Sequence, residues 1–187
     1  MRPDTPSDER TATLEAFADT LIPGAKRFPG DKAVAGAATD DGAVAAGALE
    51  LLEWPACGVD GALDDFARDL NKHARAYAAR HGLTLEEGTP PFVALSFEHR
   101  TALVAELTAA DHPERELWVL LAIFSYMAYD AAAHLHTRDA IAAGHPGLTA
   151  MGMTPPGPDG LWRHPAHSYG RPLARLHPDT TPTGSLA

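Results

Sequence analysis

The most distinctive pattern in this chain is an uncharged and strongly apolar stretch from Leu117 to Tyr129. Its apolar residues fall on every side of a helical wheel rather than along one stripe, which predicts a helix surrounded by protein or by lipid. The stretch is shorter than the roughly 20 residues that a bilayer requires, so we predict a buried central helix. Asp111 and Glu114 have the spacing of a capping box and place the start of the helix near residue 111.

Four further helices are predicted upstream, each from apolar residues at helical spacing. Helix breakers separate them at Pro23-Gly24, Pro55, Gly82 and Thr89-Pro90-Pro91, and Ser96 has the position of an N-cap for the fourth. No segment alternates with period two, so we predict an all-α fold, a helical bundle around the buried central helix. The apolar residues are Leu14, Phe17, Ala18, Leu21 and Ile22 in the first helix, Val44, Ala48, Leu51 and Leu52 in the second, and Leu63, Phe66, Leu70 and Tyr77 in the third. The fourth helix has Phe97, Thr101, Val104 and Thr108 on one side and Leu103 and Leu107 on another.

The composition changes at Gly144, where eight prolines and seven glycines begin to appear within the last 44 residues. This density rules out long helices. The same segment holds Trp162, Tyr169 and three arginines, which favour an ordered structure over a disordered tail. We therefore predict a helical domain at 1–143 and an irregular Pro/Gly-rich C-terminal wrap at 144–187, packed on the helical domain or on a partner.

The charge balance is strongly acidic, with 25 acidic and 15 basic residues and a formal net charge of −10. A nucleic-acid partner or an anionic membrane surface would require a basic surface, so we expect neither. Cys57 is the single cysteine, so an internal disulfide is excluded. The first ten residues contain no twin arginine and no apolar signal-peptide core, and we expect a cytoplasmic protein.

A first cluster of titratable residues lies at the end of the central helix. Tyr126, Asp130 and His134 repeat every four residues, which would place them on one helical face, and His136 follows. Asp130 could orient and charge His134 as a general acid or base. The alternative is an ordinary Asp–His helix pair of small energetic value. A metal centre needs three or four ligands, and we predict none here.

A second cluster lies in the tail and combines aromatic, basic and histidine side chains. It could bind an anion, assist proton transfer, or anchor a partner. The alternative is a structural segment whose rings fill grooves and whose arginines pair with the acidic helices. We hypothesise that its histidines lie over the Asp130–His134 end of the central helix, so that the two clusters form one site. The cluster consists of Trp162, Arg163, His164, His167, Tyr169 and Arg171.

Other charged and histidine residues are predicted to be structural or solvated. We interpret His73, His81, His99 and His112 as solvated helix residues, and Arg100 as part of a charge cluster at the start of a helix. The chain contains no G-x-G-x-x-G after a strand, no Walker A motif, no G-x-S-x-G and no C-x-x-C-H. We therefore predict no flavin, nicotinamide, nucleotide or c-type haem cofactor.

Three segments carry a resemblance to a known family: residues 13–24 (TLEAFADTLIPG), 28–37 (FPGDKAVAGA) and 151–165. They resemble the small third subunit of gluconate 2-dehydrogenase, in particular a branch associated with gene clusters for glucose–methanol–choline type flavoproteins. The resemblance implies a subunit that binds no flavin and supports a large catalytic flavoprotein. Members of that family usually carry an export leader, and this sequence shows none.

Two functions follow as hypotheses. The first is a non-catalytic accessory subunit of a flavin-dependent oxidoreductase in specialised metabolism. The alternative is a stand-alone, cofactor-free enzyme for cyclisation, isomerisation or dehydration of a small hydrophobic natural product. Its proton-transfer residues would be Asp130 and His134 with His164, His167 or Tyr169, and Tyr126, Trp162, Arg163 and Arg171 would contribute to binding. A cavity beside the central helix favours the enzyme, and a broad exposed apolar patch favours the subunit.

Overall fold

The structure, a computed structural model, describes residues 6–155, 157 and 158. These residues form a packed bundle of eight α-helices with two short 3-10 turns and contain no strand, as the all-α prediction requires. The helices are α1 (Pro6–Leu21), α2 (Ala48–Glu53), α3 (Leu63–His81), α4 (Pro91–Ala94), α5 (Phe97–Leu107), α6 (Arg115–Ala131), α7 (Thr137–Ala142) and α8 (Pro146–Ala150).

Helix ends follow the predicted breakers at most positions. The third helix ends at His81, with Gly82 in the left-handed conformation that terminates many helices. The hydroxyl of Ser96 accepts a hydrogen bond from the backbone N–H of His99, which confirms it as the N-cap of α5. The second helix is shorter than predicted, because a turn at 43–47 replaces its first residues. The short α4 was not predicted.

The core is organised around α1, which contacts α2, α3, α4, α5 and α6. Phe17 is fully buried, and its ring centroid lies 6.4 Å from that of Phe92 and 6.3 Å from that of Trp118. These three rings join α1, α4 and α6. Burial of aromatic side chains of this size supplies much of the hydrophobic stabilisation of a small domain.

The central helix predicted from the sequence is α6, and three details of that prediction are wrong. It begins at Arg115, and Glu114 occupies the N-cap position without a side-chain capping bond, so the capping box from Asp111 does not form. It ends at Ala131, because Ala132 adopts a left-handed conformation with φ of 47°. In addition, only one side of α6 is buried, whereas the sequence predicted burial all round.

Residues 25–42 form the predicted loop, and buried polar groups hold it in place. The carboxylate of Asp19 accepts hydrogen bonds from the backbone N–H groups of Gly24 and Ala35 at 3.0 and 2.8 Å. Burial raises the pKa of Asp19, while these bonds and the nearby Arg100 oppose the increase. Arg100 lies in the first turn of α5, at the predicted helix start, and its side chain is buried, which the sequence analysis did not predict.

Candidate functional site

One side of α6 presents large apolar side chains to solvent. Leu120, Ile123 and Met127 lie at i, i+3 and i+7 and are each about two-fifths exposed or more, and Tyr126 lies beside them. Leu135, just beyond the helix, is also exposed. We call these five residues the α6 face. Such a row of exposed apolar residues is unusual on a helix that packs in a core, where the solvent side is normally polar.

Charged residues lie at both ends of the α6 face. Glu116 is exposed near the start of the helix, and Asp130 is exposed near its end. A helical wheel places both on the same side as Ile123. The face is therefore apolar at its centre and charged at its ends, which is the arrangement typical of a protein–protein contact surface.

The predicted Asp130–His134 pair does not form. The helix ends at Ala131, so His134 no longer continues the four-residue repeat of Tyr126 and Asp130. Within the described part of the chain, neither a hydrogen bond nor an ion pair joins Asp130 to His134. Asp130 is exposed, whereas His134 is half-buried.

His134 instead packs against the turn before α2. A Cβ atom placed on Gly47 would lie 2.4 Å from Nε2 of His134, so the ring lies directly over the glycine. The Nδ1 atom of His134 is buried and has no hydrogen-bond partner among the described residues. Burial lowers the pKa of His134; His145 lowers it further, and Glu50 opposes the decrease.

His145 is a second histidine at this junction, and its hydrogen bonds are satisfied. Its Nδ1 accepts from the backbone N–H of Leu148 at 3.4 Å, and its Nε2 lies 3.0 Å from the carbonyl oxygen of Ala46. An Nδ1 that accepts leaves the proton on Nε2, which then donates to Ala46. His145 therefore links the start of α8 to the turn before α2, a role that the sequence analysis did not predict.

A cavity close to this end of α6 does not contain the predicted catalytic residues. It is an open cleft of about 560 Å³ between the 25–42 loop and α8. Neither Asp130, His134 nor Tyr126 lies along its wall. The lining residues are Thr39, Asp40, Asp41, Tyr129, Gly144, Pro146, Thr149 and Ala150.

The tail cluster lies outside the described residues. This applies to Trp162, Arg163, His164, His167, Tyr169 and Arg171. The hypothesis that the tail histidines lie over His134 therefore stays a prediction.

Comparison with known proteins identifies a family. The chain belongs to DUF5987, a family of unknown function whose pattern matches residues 8–187. No curated protein and no solved structure matches the chain. Among the described residues, no helix has both the length and the apolar character needed to cross a membrane.

Proposed function

We propose that this protein is an accessory subunit of a flavin-dependent oxidoreductase of the glucose–methanol–choline type, and that it docks on the catalytic subunit through the α6 face. The observation that carries the proposal is the exposure of Leu120, Ile123, Tyr126 and Met127 along one side of α6, with Leu135 exposed just beyond the end of the helix. Large exposed apolar patches on small domains mark sites of interaction.

The composition of the α6 face fits a protein partner. Aromatic residues and methionine are enriched in the cores of protein–protein interfaces, and Tyr126 and Met127 lie side by side here. Glu116 and Asp130 at the ends would pair with basic residues at the rim of the partner. Such rim pairs contribute mainly to orientation and to the association rate.

The identity of the partner comes from the resemblance of residues 13–24, 28–37 and 151–165 to the small subunit of gluconate 2-dehydrogenase. In this fold, the first two segments form a scaffold: Asp19 anchors the loop that follows α1. A scaffold role for these residues agrees with a subunit that supports catalysis by a partner protein.

The stand-alone enzyme is supported less well. It requires Asp130 and His134 to converge in a cavity, and the cleft beside α8 contains neither. Asp130 is exposed at the end of the α6 face, where a partner would cover it.

The proposal is tested by affinity capture from the native host, using the tagged full chain. We expect the wild type to co-purify with a large protein that carries flavin absorbance, identified by mass spectrometry. Ile123→Glu should abolish this capture, because a charge at the centre of an apolar interface is desolvated without a partner. Phe28→Glu changes an exposed apolar residue outside the α6 face and should leave capture intact. A wild type that captures no flavoprotein, or an Ile123→Glu variant that captures it equally well, would overturn the proposal.

A further inference from the structure

Three potential metal ligands from distant parts of the chain meet beside the start of α6. His73 lies on α3, while His112 and Glu114 lie in the connection before α6. One ligand atom of each residue lies within 4.8 Å of the other two. The sequence analysis missed this cluster, because 41 positions separate His73 from Glu114.

Hydrogen bonds already hold the cluster together. Nε2 of His73 lies 2.7 Å from Oε2 of Glu114, and the backbone N–H of Glu114 donates to Nδ1 of His112 at 3.2 Å. The histidine rings also meet edge to face, with centroids 5.7 Å apart. The side chains of His73 and Glu114 are therefore paired before any ion binds, and the ring of His112 is held beside them.

The buried side chain of Trp118 contacts both the carboxylate of Glu114 and the ring of His73. Its indole N–H donates to Oε2 of Glu114 at 3.2 Å, and its ring contacts that of His73 edge to face. Trp118 is fully buried, so this hydrogen bond is fixed by the core. Metal ligands in proteins are commonly oriented by such neighbours, which bond to the ligand rather than to the ion.

We propose that His73, His112 and Glu114 bind a divalent first-row transition metal of the zinc type, with one position left for water or another ligand. Two imidazoles and one carboxylate form a donor set that proteins use for Zn²⁺ and related ions. The proposal is independent of the accessory-subunit function. A bound ion would link α3 to the start of α6, because its ligands come from both.

The present spacing of the ligand atoms, within 4.8 Å of one another, must adjust to accept an ion. Ligand atoms at the usual Zn–N and Zn–O distances in a tetrahedral site lie about 3.3 Å apart. The His73–Glu114 pair, now 2.7 Å apart, must therefore separate slightly. The hydrogen bond from His73 lowers the pKa of Glu114.

The test is a titration of the full chain, stripped of metal with a chelator, first with Co²⁺ and then with Zn²⁺ in competition. We expect one equivalent of Co²⁺ to give a visible ligand-field spectrum that Zn²⁺ removes. His73→Ala, His112→Ala and Glu114→Gln should each weaken binding by at least about tenfold. His136→Ala and Glu106→Gln are matched controls, because both residues are exposed and lie outside the cluster; they should bind as the wild type does.

Two results would overturn the proposal. The first is a wild type without a Co²⁺ spectrum. The second is a spectrum and affinity that persist in His73→Ala and His112→Ala, which would assign the ion to other histidines. His112→Ala keeps the His73–Glu114 hydrogen bond, so it tests the site even if His73→Ala disturbs folding. Circular dichroism of each variant checks that the helices are retained.

Discussion

The guanidinium of Arg100 donates a hydrogen bond of 2.8 Å to the backbone carbonyl of Ala33, 67 positions earlier in the chain. The same side chain donates to the carbonyls of Lys32, Val93 and Leu95, so it joins α5, α4 and the 25–42 loop. Only 3% of Arg100 is exposed. A buried charge is tolerated only when it is well paired, and four carbonyl acceptors supply that pairing here.

We expect Arg100→Met to lower the free energy of unfolding by about 3–5 kcal/mol, since removing one partner from a buried charged network leaves the others unsatisfied. Among the groups left behind is the buried carboxylate of Asp19, on which Arg100 acts electrostatically. Urea unfolding followed by circular dichroism measures the change.

The matched control is Arg80→Met. Arg80 pairs with Glu106 between α3 and α5, but both side chains are about half exposed. Exposed ion pairs contribute about 0–1 kcal/mol, so this variant should unfold near the wild-type denaturant concentration. Equal losses for the two arginines would contradict the role assigned to Arg100.

A second prediction compares two neighbours on α6. Phe124 is 9% exposed and Ile123 is 46% exposed. Truncating a buried phenylalanine costs about 3–5 kcal/mol, so Phe124→Ala should lower the melting temperature strongly. Ile123→Ala should change the stability of the isolated chain by less than about 1 kcal/mol, because little of its contact area faces the core. Thermal unfolding of both variants checks the orientation of α6; a melting temperature unchanged in Phe124→Ala would show that this side of the helix is not in the core.

The sequence predicts the existence of most helices because their signals are local. Ser96 caps α5, and Gly82 ends α3, through bonds to residues a few positions away. The orientation of α6, by contrast, is not determined by local signals. Leu120 and Leu121 are identical and adjacent, yet 41% of the first and 2% of the second is exposed. Only the packing of other helices distinguishes the two leucines, and the apolar sequence of α6 does not indicate which side those helices cover.

The end of α6 could not be predicted for a similar reason. Alanine is the best helix former, and Ala132 nevertheless adopts a left-handed conformation inside the protein. Without this break, His134 would follow Asp130 by one helical turn, as the sequence analysis expected. The packing of His134 on Gly47, more than 80 positions away, is likewise a product of the tertiary structure.

The third prediction concerns this contact. Gly47 has φ of 86°, so Gly47→Ala carries a backbone cost of about 1–2 kcal/mol in addition to its clash with the ring of His134. In a His134→Ala background, the clash is absent and only the backbone cost remains. We therefore expect Gly47→Ala to be more destabilising in the wild type than in that background, as measured by a double-mutant cycle.

Gly82→Ala is the matched control for the backbone cost. Gly82 also has a positive φ, but a Cβ atom there would meet no other atom within 4 Å. Its substitution should therefore cost the same with and without His134. A Gly47→Ala effect that is also independent of His134 would contradict the contact.

The fourth prediction is a pH dependence of stability. Burial lowers the pKa of His134 in the folded state below the value of about 6.5 that it takes in an unfolded chain. Between these two values, the unfolded state binds more protons, so stability must fall as the pH falls through about 6.5. We expect His134→Gln to lose less stability than the wild type between about pH 7.5 and 5.5. His136→Gln, at an exposed position nearby, should follow the wild type, and identical losses in all three proteins would exclude His134 as the cause.

The fifth prediction concerns the tail. All described helices end at or before Ala150, so deleting residues 160–187 should leave the helical circular dichroism almost unchanged. The deletion removes Trp162 and Tyr169 with their neighbouring arginines, and anchors of this type contribute disproportionately to binding. We therefore expect the truncated chain to lose capture of its partner, and deletion of residues 177–187 alone to retain it.

If the tail histidines lie over His134, the longer deletion should also shift the NMR signals of that imidazole. Full capture by the chain that ends at residue 159 would show that the helical domain binds the partner alone. Unchanged NMR signals of His134 would contradict the hypothesis that the two clusters form one site.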